Sequence, residues 1–217
     1  MVEPIFDYQF RIIVVGDSTV GKSALLRAFT EGKFPEVCDP TVGVDFFARL
    51  IEVKEGVRVK LQLWDTAGQE RYRYLWTITW SYYRNAVGAL LLYDVTRRSS
   101  FEHLVEWLFE ARRHIEPGRA MFEVVACKID LESSRVVTTE EGKAFADSYG
   151  LSFIETSAKT GYNLEKAFAT ISQQIYEKIQ TGEFKMLDGW DGIRTGFNRS
   201  KDSLRLMEAE VERDRCC

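Results

Sequence analysis

The sequence predicts an α/β fold, with six strands in a mostly parallel sheet and helices on both faces. Two observations carry this. Short apolar, β-branched runs alternate with segments whose apolar residues recur at helical spacing, from about residue 8 to residue 180. Several of these runs are apolar almost throughout, as parallel strands buried on both faces are.

Phe10–Val15 reads as the first buried strand, ended by Gly16. From Gly21 the pattern turns helical, with Leu25, Leu26 and Phe29 on one face until Gly32 stops it. Two strands follow, roughly Phe46–Val53 and Val57–Trp64, joined by the hairpin signal Lys54-Glu-Gly56. Beyond an aromatic-rich region, Val87–Tyr93 is a solid apolar run and a central strand. Ser99 or Ser100 is expected to cap a helix striped by Phe101, Leu104, Val105, Leu108 and Ile115. Met121–Ala126 is another buried strand, and Thr138 or Thr139 starts a helix toward Ser148. Leu151–Glu155 is the last short strand, and Leu164–Ile179 the closing amphipathic helix. After Gly182 the periodicity fails, with Gly189, Gly192 and Gly196 punctuating a stretch of mixed charge. The expected division is one domain over residues 1–180 and a flexible tail over 181–217. Leu204, Met207 and Val211 leave a docking helix as the alternative within that tail.

Composition narrows the functions open to this chain. Its 217 residues, 45% hydrophobic and 29% charged, suit one well-buried domain with an appendage. A net charge of -4 provides no basic excess to neutralise phosphates, so no nucleic-acid partner is expected. No apolar run reaches the roughly 18 residues of a membrane span. Met1–Tyr8 lacks the apolar core of a signal peptide, and a cytosolic chain is expected. The cysteines Cys38, Cys127, Cys216 and Cys217 have neither a disulfide framework's pattern nor zinc-ligand spacing.

The chemistry is carried by short motifs at the ends of strands. Gly16-Asp-Ser-Thr-Val-Gly-Lys22-Ser23 fits G-x-x-x-x-G-K-[ST] between a strand and a helix, the context this phosphate-binding loop requires. Glycine lets the backbone approach phosphate. The N–H groups of Ser18, Thr19, Val20, Gly21 and Ala24, with the helix N-terminus, supply positive potential. Lys22 suits the β- and γ-phosphates, and the Ser23 hydroxyl suits Mg²⁺. In Trp64-Asp65-Thr-Ala-Gly68-Gln69-Glu70, Asp65 ends an apolar strand where a carboxylate reaches Mg²⁺ through water. Gly68 allows a backbone N–H to approach the γ-phosphate, and Gln69 can orient an attacking water. In Lys128-Ile-Asp130-Leu131, Asp130 can accept from guanine N1 and the 2-amino group while the Lys128 stem covers the ring. Adenine lacks that donor pair. Thr156-Ser157-Ala158-Lys159 can present a backbone N–H to guanine O6. GTP or GDP with Mg²⁺ is the expected ligand set.

Together these motifs resemble the Rab family of small GTPases from Phe10 to Cys217. The signatures are the phosphate loop, Thr41-Val-Gly-Val-Asp-Phe46, Lys60–Glu70, Tyr82-Tyr-Arg84 and Glu155–Lys159. The segment Asp39-Pro-Thr-Val-Gly-Val-Asp-Phe-Phe47 and the tail's Asp188-Gly-Trp-Asp-Gly192 are most similar to the branch of Rabs numbered thirty-nine. The resemblance implies the P-loop small-GTPase fold and a membrane-bound GTP/GDP switch for vesicle traffic. It makes Thr41 the switch I ligand that meets Mg²⁺ only with γ-phosphate present, and Phe34 a ring packed on guanine. Phe46, Trp64 and Tyr82 become an effector-reading aromatic triad. Cys216 and Cys217 become a double prenylation site on the cytoplasmic face of an intracellular membrane, Golgi or endosomal/lysosomal. Effectors, an exchange factor, a GTPase-activating protein and a prenyl-binding chaperone are the implied partners of a monomer. One lipid chain anchors marginally, and the tail's seven Lys/Arg against eight Asp/Glu form no polybasic patch, so two chains make physical sense.

Two departures stand out. Cys127 occupies the place where the family's guanine motif has Asn, whose amide would contact guanine N7 and brace the phosphate loop. The switch II region carries eight residues between Arg73 and Tyr82, longer than the resemblance predicts and rich in aromatics. His103 and His114 read as surface or satisfied residues. A P-loop ATPase or nucleotide kinase is the enzymatic alternative; a hydrolysis-poor membrane scaffold is the non-enzymatic one.

Overall fold

In a computed structural model of the protein, the described residues are 6–35, 41, 44–66, 83–184 and 192–196. Strands β1 (Tyr8–Val15), β2 (Val44–Lys54), β3 (Val57–Thr66), β4 (Gly88–Asp94), β5 (Met121–Cys127) and β6 (Ser152–Glu155) run in the order β2-β3-β1-β4-β5-β6. All neighbours are parallel except the β2–β3 hairpin. The mostly parallel reading holds for the six strands expected, several of them one or two residues longer at their ends, but a seventh strand joins the sheet.

Alternation along β1 explains the two-sided core. Phe10, Ile12 and Val14 face helices α1 (Lys22–Glu31) and α5 (Leu164–Gln180), where Phe29 stacks on Phe168 at 3.9 Å between centroids. Ile13 and Val15 face the other side, with Leu104 and Leu108 of helix α3 (Leu104–His114) and Ala146 of helix α4 (Thr139–Tyr149). Each large side chain buried this way contributes about 1.5–3 kcal/mol before entropy is charged against it. Helix α4 starts where expected. Thr138 accepts from the Glu141 N–H while the Glu141 carboxylate accepts from the Thr138 N–H, a complete capping box.

Two expectations need correction. Neither Ser99 nor Ser100 caps the second expected helix. It begins two or three residues earlier as helix α2 (Arg98–Glu102), breaks at His103, and continues as α3. Ser100 instead donates back to the Arg97 carbonyl at 2.7 Å and accepts from the Asp94 N–H at 3.0 Å, tying the segment to the end of β4. The second correction lies in the tail. Ile193–Thr195 form strand β7, antiparallel to Tyr8–Phe10 of β1. Because β4 pairs only with Ile12–Val15, the first residues of β1 have an open side, and β7 completes it. Phe184 and Ile193 are buried in the core. The remaining tail, including the 204–211 stripe, lies outside the described residues, as does the lengthened switch II segment.

Candidate functional site: a nucleotide cleft at the strand ends

The C-terminal ends of β1, β5 and β6 open on one edge of the sheet, where a parallel sheet places its loops and helix N-termini. A cavity of about 480 Å³ lies there. It is lined by Ser18, Thr19, Val20, Gly21, Lys22, Ser23, Ala24, Phe34, Thr41, Cys127, Lys128, Asp130, Leu131, Ala158 and Lys159, together with Leu25. Every described residue expected to bind nucleotide therefore lines one cleft, except Ser157, which stands behind Asp130. Gly68, Gln69, Tyr82, Cys216 and Cys217 lie outside the described residues.

The phosphate loop depends on two glycines for its course. At Gly16 φ is 144°, and an added Cβ would fall 2.3 Å from the Leu92 carbonyl oxygen. Gly21, with φ 110°, turns the chain into α1. Lys22 is buried and donates from Nζ to the carbonyls of Gly16 and Asp17, both at 2.8 Å. The ammonium is thus already aimed across the mouth of the loop. Asp17 is held from the far side of the sheet. Its Oδ2 lies 2.8 Å from His103 Nδ1, and its Oδ1 accepts from Trp107 Nε1 at 2.9 Å. His103 is therefore satisfied, as is His114, whose Nε2 lies 3.0 Å from Glu110 Oε1.

Next to Lys22, three oxygens from three segments converge. Ser23 Oγ donates to Asp65 Oδ2 at 2.5 Å and lies 2.7 Å from Thr41 Oγ1, which reaches the same carboxylate oxygen at 3.5 Å. Asp65 Oδ1 is buried without a hydrogen-bond partner among the described residues. Burial holds this carboxyl above its ordinary range, against the Ser23 hydrogen bond and the Lys22 charge. Two hydroxyls and one carboxylate oxygen with spare acceptor capacity are a hard-oxygen donor set of the kind that suits Mg²⁺.

At the base end, Asp130 Oδ1 accepts from Ser157 Oγ at 2.6 Å, and Ser157 Oγ also accepts from the Thr160 N–H at 3.1 Å. The carboxylate is fixed in orientation with its other oxygen free for a donor pair. Lys128 has φ 65°; its Nζ donates to the Thr19 carbonyl at 2.8 Å and pairs with Asp94 Oδ2 at 2.6 Å. Burial would raise the Asp94 carboxyl, but hydrogen bonds from Lys128 and Thr96 outweigh it and hold the group below its usual range. Phe34 is exposed at the cleft's edge, free to cover a ring.

Cys127 is the weak place. Its sulfur is 3.8 Å from the Val125 carbonyl and 3.9 Å from Thr156 Oγ1, and burial pushes the thiol up to about 12. A neutral thiol at such distances offers a base little. On the outer sheet, Phe46 is 51% exposed and meets half-buried Trp64 edge-on at 5.4 Å, and Arg11 lies over the Trp64 ring at 4.1 Å.

The sequence matches the Ras family over residues 11–177. It is 54% identical over 208 residues to Ras-related protein rab-39 of Caenorhabditis elegans, covering 94% of this chain and 89% of that protein. It is 54% identical over 200 residues to human Ras-related protein Rab-39A, covering 90% and 91% respectively. The chain belongs to the Ras family, among its Rabs. The likeness to the branch numbered thirty-nine, expected from two short segments, extends over most of the chain. As a Rab GTPase it binds GTP and GDP and hydrolyses the former, and membrane traffic is the general role of Rabs. Asp17, Asp94, Arg97 and Trp107 escape the sequence reading, and His103 reads there only as surface or satisfied, because the partners that tie them to the site lie far away along the chain.

Proposed function

We propose that this Rab is a Mg²⁺-dependent GTP/GDP switch recruiting effectors at the cytoplasmic face of an intracellular membrane, held there by prenyl groups on Cys216 and Cys217. The observation that carries the reading is the meeting of Ser23, Thr41 and Asp65 beside Lys22 at the phosphate end of the cleft. A bound Mg²⁺ would neutralise β- and γ-phosphate charge. Ser23 and Thr41 would offer it hydroxyl oxygens, and Asp65 would hold its water. Lys22 leaves its two loop carbonyls for the β/γ-phosphates, and Asp130 fixes guanine while the Ala158 N–H meets O6.

Thr41 sits in switch I, so its hydroxyl couples that segment to the γ-phosphate; Gly68 and Gln69 do the same for switch II and the attacking water. Loss of the γ-phosphate frees both segments, and effectors reading Phe46, Trp64 and Tyr82 lose their surface. Turnover is slow without an activating protein, because the loop supplies no arginine finger. An exchange factor and a prenyl-binding chaperone complete the cycle of a monomer between membrane and cytosol.

The test is release of a fluorescent GDP from the full chain with Mg²⁺ and after chelation. Release accelerates at least about 10-fold on chelation, and much of that response disappears in Ser23→Ala. A rate indifferent to Mg²⁺ rejects the site. Nucleotide-independent partner capture without GTP turnover would favour the scaffold.

A further inference from the structure

The phosphate loop turns at a residue ill suited to turning. Thr19 has φ 64°, in the left-handed region that a β-branched side chain adopts only when its surroundings impose it. The surroundings are two cations. Arg97 Nη1 donates to Thr19 Oγ1 at 2.7 Å and its Nη2 to the Ser18 carbonyl at 2.6 Å, while Lys128 Nζ holds the Thr19 carbonyl at 2.8 Å. Arg97 is itself fixed. Its N–H donates to the Asp94 carbonyl at 3.0 Å, and its carbonyl accepts from the Ser100 hydroxyl at 2.7 Å. Cys127 cannot serve as a brace here, since its sulfur contacts run to Val125 and Thr156 and not to the loop.

The consequence follows from peptide geometry. In a trans peptide the N–H points opposite to the preceding C=O. Holding the Ser18 carbonyl with Arg97 therefore aims the Thr19 N–H the other way. Holding the Thr19 carbonyl with Lys128 likewise aims the Val20 N–H. Thr19 and Val20 both line the cleft, whereas Arg97 does not. We infer that Arg97 is a positioning residue for nucleotide retention: through Ser18 and Thr19 it holds the loop's N–H groups toward the phosphates. It touches no substrate atom, and its charge acts through the loop it clamps.

The experiment follows release of a fluorescent GDP from the Mg²⁺-loaded full chain. Arg97→Ala accelerates release roughly 10-fold, the value of a charge-assisted hydrogen-bond pair. Arg97→Lys, keeping one donor, restores part of the retention. In a Thr19→Gly background the acceleration caused by Arg97→Ala shrinks to roughly 3-fold, because glycine takes the left-handed corner unaided and offers no hydroxyl, while the bond to the Ser18 carbonyl remains to be lost. An Arg97→Ala effect of equal size in both backgrounds means that Arg97 merely stabilises the domain, and overturns the inference. So does unchanged release in Arg97→Ala. Circular-dichroism melting of each variant confirms that the rates compare folded proteins, and Arg97→Gln, which keeps a neutral donor, replaces Arg97→Ala if the latter melts early.

Discussion

The two ends of the nucleotide cleft are built by different means. The phosphate end is a network: Lys22 spans two carbonyls, Ser23, Thr41 and Asp65 share a cluster, and Asp17 is anchored by His103 and Trp107. At the base end the Ser157–Asp130 bond fixes the carboxylate, the Lys128 charge is spent on Asp94 and the Thr19 carbonyl, and a sulfur at 3.8–3.9 Å stands where the family has an amide. Charge and many partners give grip at one end. A single oriented carboxylate gives selectivity at the other. The difference teaches that choosing guanine and retaining it are separable properties in this chain.

That separation can be broken by experiment. Lys22→Ala should cost the most, lowering affinity for GTP and GDP by about 100-fold or more, since a buried charge-assisted contact to phosphate is lost; titration calorimetry measures it. Asp130→Asn should weaken guanine binding roughly 30-fold, because an amide N–H then faces the 2-amino group. The same amide suits the 2-oxo group of xanthine, so competition between GDP and xanthosine diphosphate should shift toward the latter. If Lys22→Ala changed base preference instead of overall affinity, the two ends would not be separable.

A third test concerns the strand that carries the base end. Glu123 of β5 is fully buried, and neither carboxylate oxygen has a hydrogen-bond partner among the described residues. Burial pushes this carboxyl up to about 8, only partly offset by the nearby Ser152 hydroxyl, which donates to the Phe122 carbonyl at 3.4 Å. The unfolded carboxyl ionises near 4.5, so between that pH and about 8 unfolding releases a proton. Stability must then fall as pH rises through this window and level off above it. Urea unfolding should find the protein about 2 kcal/mol less stable at pH 8 than at pH 6 from this group alone, and Glu123→Gln should flatten that slope. The smallest effect is expected at Cys127→Asn. Restoring one neutral hydrogen bond should slow GDP release roughly 2- to 13-fold with base preference unchanged. Equal rates would mean that the amide is dispensable here.

What the sequence disclosed follows contiguity. Residues 16–23 form a loop because they are adjacent, and strands announce themselves by runs of Val, Ile and Leu, so the sheet and the cleft were legible before any coordinates. The clamp on Asp17 was not. His103 lies 86 positions away and Trp107 90, and each reads as an ordinary helix residue until the sheet brings α3 under the loop. Strand β7 was hidden for a different reason. Its flanking glycines look like punctuation, yet a Cβ on Gly196 would fall 1.6 Å from the Phe6 carbonyl oxygen. That glycine reports close packing where glycine in sequence suggests looseness.

Strand β7 also sets the length of a leash. If Cys216 and Cys217 carry the lipid, a free tail from the end of α5 could span roughly 125 Å, whereas one leaving from Gly196 can span roughly 70 Å. The leash is also attached at a chosen pole. It departs beside Tyr8, the start of β1, while the phosphate loop follows Val15 at that strand's far end, roughly 25 Å away. A lipid on those cysteines would therefore be tethered from the end of β1 opposite the nucleotide edge, leaving that edge clear of the attachment point.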